Sequence, residues 1–437
     1  MRRFPKEWKT EQDWRSLQRT RSRDGSSRRP VRGLPILILA VAVLVVSGSL
    51  LYAAKGNPLA SWSGPAQPPE TDRQPEPAFH PPVNGTPPNF AATVEGRFYE
   101  DRDGCRLLYT VDPALQKRVQ DVFQKHRPPY GVFVALEPQS GKILALAEHT
   151  RVRSEPGTVW QRATYPAASV FKLVTAAGAL EKGLLNYDSP VLFRGNLYRL
   201  GPQKLNESAR KDLRTQFDDA LGKSNNVVFG RVASNLLGAQ ALKEYSEAFG
   251  FNHPLQFDFP VDMSRASIPE QSYELARCGA GFGEVTLNPL HAAMIAATIA
   301  NQGRMMKPYL IDCAEDAQGG KVYEAKQEVL GQPITPKTSQ DLTRMMLRTV
   351  EDGTASKIFH RYGRNLMKKM AVSGKTGSLS GVNPPGQYDW FVGFAPADQP
   401  QIAFAAMIIN HDRWRVRGAF VAQEALKTFF RDQLGRL

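Results

Sequence analysis

The sequence predicts an α+β fold, and three observations predict it. Strand–turn–strand signals stand near both ends of the stretch from residue 96 to the C-terminus, and the chain between them reads as mostly helical. No second low-complexity linker and no internal repeat interrupts that stretch. Strands at both ends of a helical middle imply an antiparallel sheet assembled from distant segments and flanked by helices.

The chain ahead of this domain falls into three parts. Residues 1–33 form a basic tail with 11 Lys/Arg against 4 Asp/Glu. Residues 34–54 read LPILILAVAVLVVSGSLLYAA, 21 residues without a charge. As a helix at about 1.5 Å per residue this run is roughly 31 Å long, close to the hydrocarbon thickness of a bilayer. Arg21, Arg23, Arg28, Arg29 and Arg32 before it should remain cytoplasmic by the positive-inside rule, which places the rest of the chain outside. A cleaved signal peptide fits less well, because both the basic and the apolar regions are longer than usual and no A-x-A site follows. Residues 55–95 form a linker; ten prolines fall between positions 56 and 90. Such a segment cannot pack a core and tends towards extended polyproline geometry, as a tether would.

The globular elements follow in order. GVFVALE, PQSG and KILALAE at Gly131–Glu148 read as a hairpin. Leu173–Leu180 is a strongly apolar helix former, with Pro166 suited to a first helical position. Asn288 caps and Pro289 opens PLHAAMIAATIANQ, which Gly303 ends; being apolar nearly all round, this helix should be buried. Ala371–Gly374 reads as a small-residue strand, and Leu379–Asp389, with Pro384-Pro385, as a loop. DWFVGFA at Asp389–Ala395 and IAFAAMII at Ile402–Ile409 form the second hairpin, and an amphipathic helix follows Gly418.

Composition removes several function classes. The 437 residues are 42% apolar and 22% charged, neither disordered nor fibrous. Cys105, Cys278 and Cys313 are too few and too scattered for a disulfide scaffold; their odd number leaves at least one thiol unpaired, with a Cys105–Cys313 bond open. There is no CxxC or HExxH, so no metal site is expected. The net charge of +14 suggests nucleic acid at first, but half of it lies in residues 1–33 and reports topology instead.

Three short motifs carry chemistry: Ser169-Val170-Phe171-Lys172, Ser224-Asn225-Asn226 and Lys375-Thr376-Gly377-Ser378. A second S-x-x-K, Ser208–Lys211, lies in Asn-Glu-Ser-Ala-Arg-Lys-Asp, a solvated charged run that cannot perturb a lysine. Ser169 instead opens an apolar helix, where unpaired N–H groups favour an oxyanion. Lys172 lies one turn on, on the same face. A lysine acting as a base near pH 7 must lose about 4 kcal/mol of preference for its charged form, and burial among Val170, Phe171 and Leu173 is the means. Ser224-Asn225-Asn226 lies between a polar break and a helix, so it reads equally as a helix cap or as a cleft wall. Gly374-Lys375-Thr376 spells the end of a P-loop, but Lys369 stands where its first glycine is required. Gly279-Ala280-Gly281-Phe282-Gly283 lacks the last glycine of a dinucleotide fingerprint. No G-x-S-x-G is present, and the seven histidines show no partner spacing. No cofactor is expected.

In this order the motifs resemble the transpeptidase domain of penicillin-binding proteins, within the serine D,D-peptidase and β-lactamase-like family. The likeness extends to Thr110–Gln116, the first hairpin, Gly283–Leu290 with Ala300–Gly303, Gly353-Thr354-Ala355 and Trp390–Pro396. It implies a β-lactamase/transpeptidase-like fold with a helical subdomain, the cleft lying between sheet and lobe. It further implies that Ser169 attacks the D-Ala-D-Ala carbonyl of a peptidoglycan stem peptide, with Lys172 as base and Ser224 relaying a proton. Asn226 would hold the substrate amide, Lys375 would supply positive potential, and Thr376 and Ser378 would grip the carboxylate. Gly377 completes the substrate-binding motif, and the N–H groups of Ser169 and Ser378 would form the oxyanion hole. The acyl group then passes to an acceptor amine, and β-lactams trap Ser169 covalently. The implied setting is the extracytoplasmic side of the cytoplasmic membrane, on one anchoring helix, with neither pedestal nor glycosyltransferase domain. A D,D-carboxypeptidase, a class D-type β-lactamase and a non-enzymatic β-lactam sensor or scaffold are the alternatives. Asn226 argues against the lactamase, which usually has an aliphatic residue there. Ser378 replaces a commoner threonine.

Overall fold

The computed structural model describes residues 86–151, 158–411 and 413–434. The expected tail, membrane helix and most of the linker lie outside the described residues. No helix among the described residues is long and apolar enough to cross a membrane.

A five-stranded antiparallel sheet organises the domain. Its strands are β1 (Tyr130–Leu136), β2 (Ile143–Thr150), β3 (Ser373–Val382), β4 (Pro385–Ala395) and β5 (Ile402–Asn410). Their spatial order is β3-β4-β5-β1-β2, so the C-terminal strands pair with the early hairpin through β5 and β1. The two hairpins read from the sequence are thus joined into one sheet with β3 at its edge.

Helices cover both faces. The helices of these faces and of the adjoining lobe used below are α1 (Pro113–His126), α2 (Lys172–Glu181), α3 (Asn226–Arg231), α4 (Pro289–Ala300), α5 (Pro336–Glu351) and α6 (Gly418–Phe429), of which α2 and α3 belong to the lobe. On one face Leu115, Val119 and Phe123 of α1 and Val421 and Ala425 of α6 pack on Phe133, Phe391, Phe404 and Ile408. The Phe391 ring stands 5.7 Å from Phe404 and 5.6 Å from Phe359, a contact set that fixes β4 against β5. The other face receives α4, all twelve residues of which are buried. Its start follows from local chemistry: the Asn288 side chain accepts from the N–H groups of Leu290 and His291, and Pro289 occupies a position whose N–H would have no partner.

Four features differ from the sequence reading. Pro166 lies outside the helix, bridging to Thr286; a 3₁₀ turn, Ala168–Phe171, comes first, and α2 begins only at Lys172. Leu379–Asp389 is no loop: it extends β3 and β4 into a long hairpin that turns at Asn383-Pro384. The segment between the two hairpins is not wholly helical, since Pro190–Arg194 pairs with Asp212–Gln216. A second five-stranded sheet brings Cys105–Tyr109 beside Ile311–Glu315. Cys105, Cys278 and Cys313 are all unbridged: Cys313 lies opposite Leu108, three positions away from Cys105.

Candidate active site

The three motifs meet in one cleft between the edge strand β3 and the helical lobe. The Ala168–Phe171 turn carries Ser169, half-buried and therefore reachable from solvent. Lys172, at the start of α2, has no exposed surface, and its Nζ lies 2.7 Å from Ser169 Oγ. The same nitrogen lies 2.8 Å from Asn226 Oδ1 and 2.6 Å from the Ala280 carbonyl oxygen. Rings of Phe229 and Phe282 stand 5.9 and 6.0 Å away. Burial, aided by the charge of Lys375, pushes the Lys172 pKa well below the usual lysine value. A neutral amine has two N–H groups and one lone pair. The two acceptors Asn226 and Ala280 consume the former, which leaves the lone pair for the Ser169 hydroxyl proton.

Ser224 and Asn226 owe their placement to the residue between them. Asn225 caps α3, its side chain accepting from the N–H groups of Val227 and Val228. The capping reading of this motif therefore belongs to Asn225, and the residues on either side are free to face the cleft. Ser224 holds a left-handed φ of 56°, and Ala168, just before the nucleophile, one of 48°. Strain of this kind persists only where the surroundings over-determine it. Lys375 on β3, fully buried, donates to Ser224 Oγ at 3.0 Å and to its neighbour's carbonyl, Thr376 O, at 2.9 Å. Burial lowers its pKa to about 7.

Residues 131–431 match the family described as penicillin binding protein transpeptidase domain, which is more than half of the chain. The chain belongs to this family. It is 28% identical over 393 residues to the peptidoglycan D,D-transpeptidase PbpA of Mycobacterium tuberculosis, covering 79% of this chain and 76% of that protein. Its fold is similar to the D,D-transpeptidase domain of a peptidoglycan glycosyltransferase from Eggerthella lenta, with a TM-score of 0.63 and 26% identity over 75% of this chain and 83% of that one. It also shares the fold of penicillin-binding protein A from M. tuberculosis in its penicillin G acyl-enzyme complex, at a TM-score of 0.61 and 24% identity over 74% and 80% of the two chains.

Within this penicillin-binding domain, glycines set how closely β3 and the lobe approach Ser169. A Cβ on Gly281, whose φ is 89°, would stand 2.2 Å from the Ala168 carbonyl oxygen. One on Gly377 would meet Val170 Cγ2 at 3.2 Å and Trp390 Cβ at 3.3 Å. The nucleophile turn is therefore gripped from two sides, at Gly281 so closely that only hydrogen fits and at Gly377 so that a side chain would crowd Val170 and Trp390. Sequence reading dismissed Gly279–Gly283 as a failed nucleotide motif; its structural use is to bring the Ala280 carbonyl to Lys172 and Gly281 to Ala168.

Thr354 and Trp390, which the sequence marked only through the family likeness, complete the surroundings. Thr376 Oγ1 lies 2.6 Å from Thr354 Oγ1, whose backbone N–H donates to Gly222 O at 3.1 Å, so the loop after α5 ties β3 to the segment before Ser224. The Trp390 indole N–H donates to Pro166 O at 3.0 Å. Ser378, exposed on β3, lies opposite Asp389 of β4, with Oγ 3.4 Å from Asp389 Oδ1. Burial raises the Asp389 pKa, against the opposing effect of Arg417. No group of three or more His, Cys, Asp or Glu among the described residues is arranged to hold a metal ion.

Proposed function

We propose that this chain is a peptidoglycan D,D-transpeptidase, acylated at Ser169 by D-Ala-D-Ala stem peptides and, covalently, by β-lactams. The observation that carries this reading is the buried Lys172 amine, its pKa pushed well below the usual lysine value, 2.7 Å from the half-buried Ser169 hydroxyl. Ser169 Oγ forms a bond to the penultimate D-alanine carbonyl carbon as its proton moves to Lys172 Nζ. The peptide C–N bond then breaks. Ser224, which Lys375 contacts at 3.0 Å, passes a proton to the departing D-alanine nitrogen. The N–H groups of Ser169 and Ser378 receive the oxyanion, each such donor contributing roughly 10²–10³ in rate. Asn226 orients the substrate amide, Lys375 supplies positive potential, Thr376 and Ser378 hold the carboxylate, and Gly377 lets the substrate backbone lie close to β3. An amine of a neighbouring stem peptide attacks the ester, forming the cross-link and returning the proton to Ser169. The apolar run 34–54, with the basic tail before it, supports an anchor in the cytoplasmic membrane and an extracytoplasmic catalytic domain.

Incubation of the protein with a fluorescent penicillin tests the nucleophile. The expected result is covalent labelling of the wild type and none of Ser169→Ala, and equal labelling of both overturns the assignment. Mass spectrometry of products from paired stem peptides tests the transfer. A cross-linked dimer supports transpeptidation, whereas D-alanine release without dimer indicates a carboxypeptidase.

A further inference from the structure

Asp389 is a buried carboxylate one strand away from the carboxylate grip, and the reaction just described gives it no role. Its residue is 5% exposed. Ser378 Oγ and Arg417 Nη1 both converge on its Oδ1, each at 3.4 Å, while the Gly418 N–H at the start of α6 donates to Oδ2 at 2.9 Å. The Arg417 side chain is 43% exposed, and its guanidinium lies 3.7 Å from the centre of the Trp414 ring, a cation–π contact that helps to fix it. Successive strand residues point to opposite faces. Trp390 therefore supports the nucleophile segment from one side of β4, while Asp389 shares the other face with Ser378, its cross-strand partner.

A bare carboxylate in this position would repel an anionic substrate group arriving at Thr376 and Ser378. Building on the reading of the site as a carboxylate-accepting transpeptidase, we propose that Asp389 and Arg417 form a charge pair behind Ser378 that sets the potential met by the substrate's carboxylate. Asp389 fixes the Ser378 hydroxyl and the guanidinium, and Arg417 cancels the field of Asp389. Both are positioning residues that act through Ser378. The pair is thereby a determinant of preference for donors with a free terminal carboxylate.

The test compares acylation of the full-length protein by a penicillin and by its methyl ester, followed by mass spectrometry. Arg417→Ala should slow acylation by the acid roughly tenfold, the effect of one uncompensated charge nearby, and leave the ester within about twofold. Asp389→Asn, which keeps an acceptor for the Gly418 N–H, should restore the acid rate when added to Arg417→Ala. Arg417→Lys should stay close to the wild type. Equal loss on acid and ester, or failure of Asp389→Asn to rescue, overturns the proposal. A thermal unfolding curve for each variant separates lost structure from lost recognition. Absence of Ser169 acylation in the wild type by either probe would overturn the underlying reading as well.

Discussion

Two Ser-x-x-Lys sequences occur in this chain, Ser169–Lys172 and Ser208–Lys211, and the structure gives them opposite surroundings. At the first, the lysine amine has no exposed surface, three polar neighbours and two aromatic rings around it. At the second, Lys211 is exposed and the Ser208 backbone N–H is taken by Asp212 at 2.9 Å. The spelling is the same, yet only one copy can hold a lysine uncharged. Reactivity here is a property of the pocket that α2, α3 and β3 build together.

The comparison breaks first at the amine. Lys172→Met keeps the buried volume and removes the lone pair, so acylation by a fluorescent penicillin should fall by about 10²–10⁴, measured as the second-order labelling rate. A loss of less than threefold would make the two copies equivalent and refute the base. A second substitution sharpens the electrostatics. The Lys375 charge helps to depress the Lys172 pKa, so Lys375→Gln should raise it and move the acid limb of the pH–rate profile to higher pH, alongside a lower rate. An unchanged acid limb would show that burial alone discharges the base. The stability consequence has a definite sign. The Lys375 pKa is depressed to about 7 in the folded state against 10.5 ordinarily, so the unfolded chain binds more protons in that window. This contribution makes the fold more stable as pH rises from about 7 towards 10.5, readable in denaturant midpoints. The smallest effect belongs to the other copy: Ser208→Ala with Lys211→Ala should leave labelling within about twofold and stability within about 0.5 kcal/mol.

Much of this architecture was legible because it rests on local rules. Asn288-Pro289 announces α4 through capping geometry, and the hairpin strands announce themselves by apolar runs around turn residues. The three motifs are short, ordered and distinct in context, and the fold does bring them into one cleft. What was not legible depends on contacts between remote residues. Pro166 looked like a helix opener, but its carbonyl is claimed by Trp390, 224 positions away. The 3₁₀ turn at Ser169 packs against Gly281 and Gly377, neither of which advertises a partner in sequence. Nothing in the sequence links Asp389 with Arg417 until β3, β4 and the start of α6 are placed together. The second sheet likewise joins segments some two hundred positions apart, through a pairing that hydrophobic pattern alone does not encode.

The alternation of Asp389 and Trp390 on β4 has one further consequence. Both serve the cleft from opposite faces of a single ribbon, so a slip of one residue in the pairing of β4 would exchange them. An indole would then sit where the charge pair belongs, and a carboxylate would be pressed towards Val170. Single-residue insertions between the Asn383-Pro384 turn and Trp390 should therefore be far more damaging than two-residue ones, which keep each side chain on its own side. The length of that hairpin arm is set in steps of two.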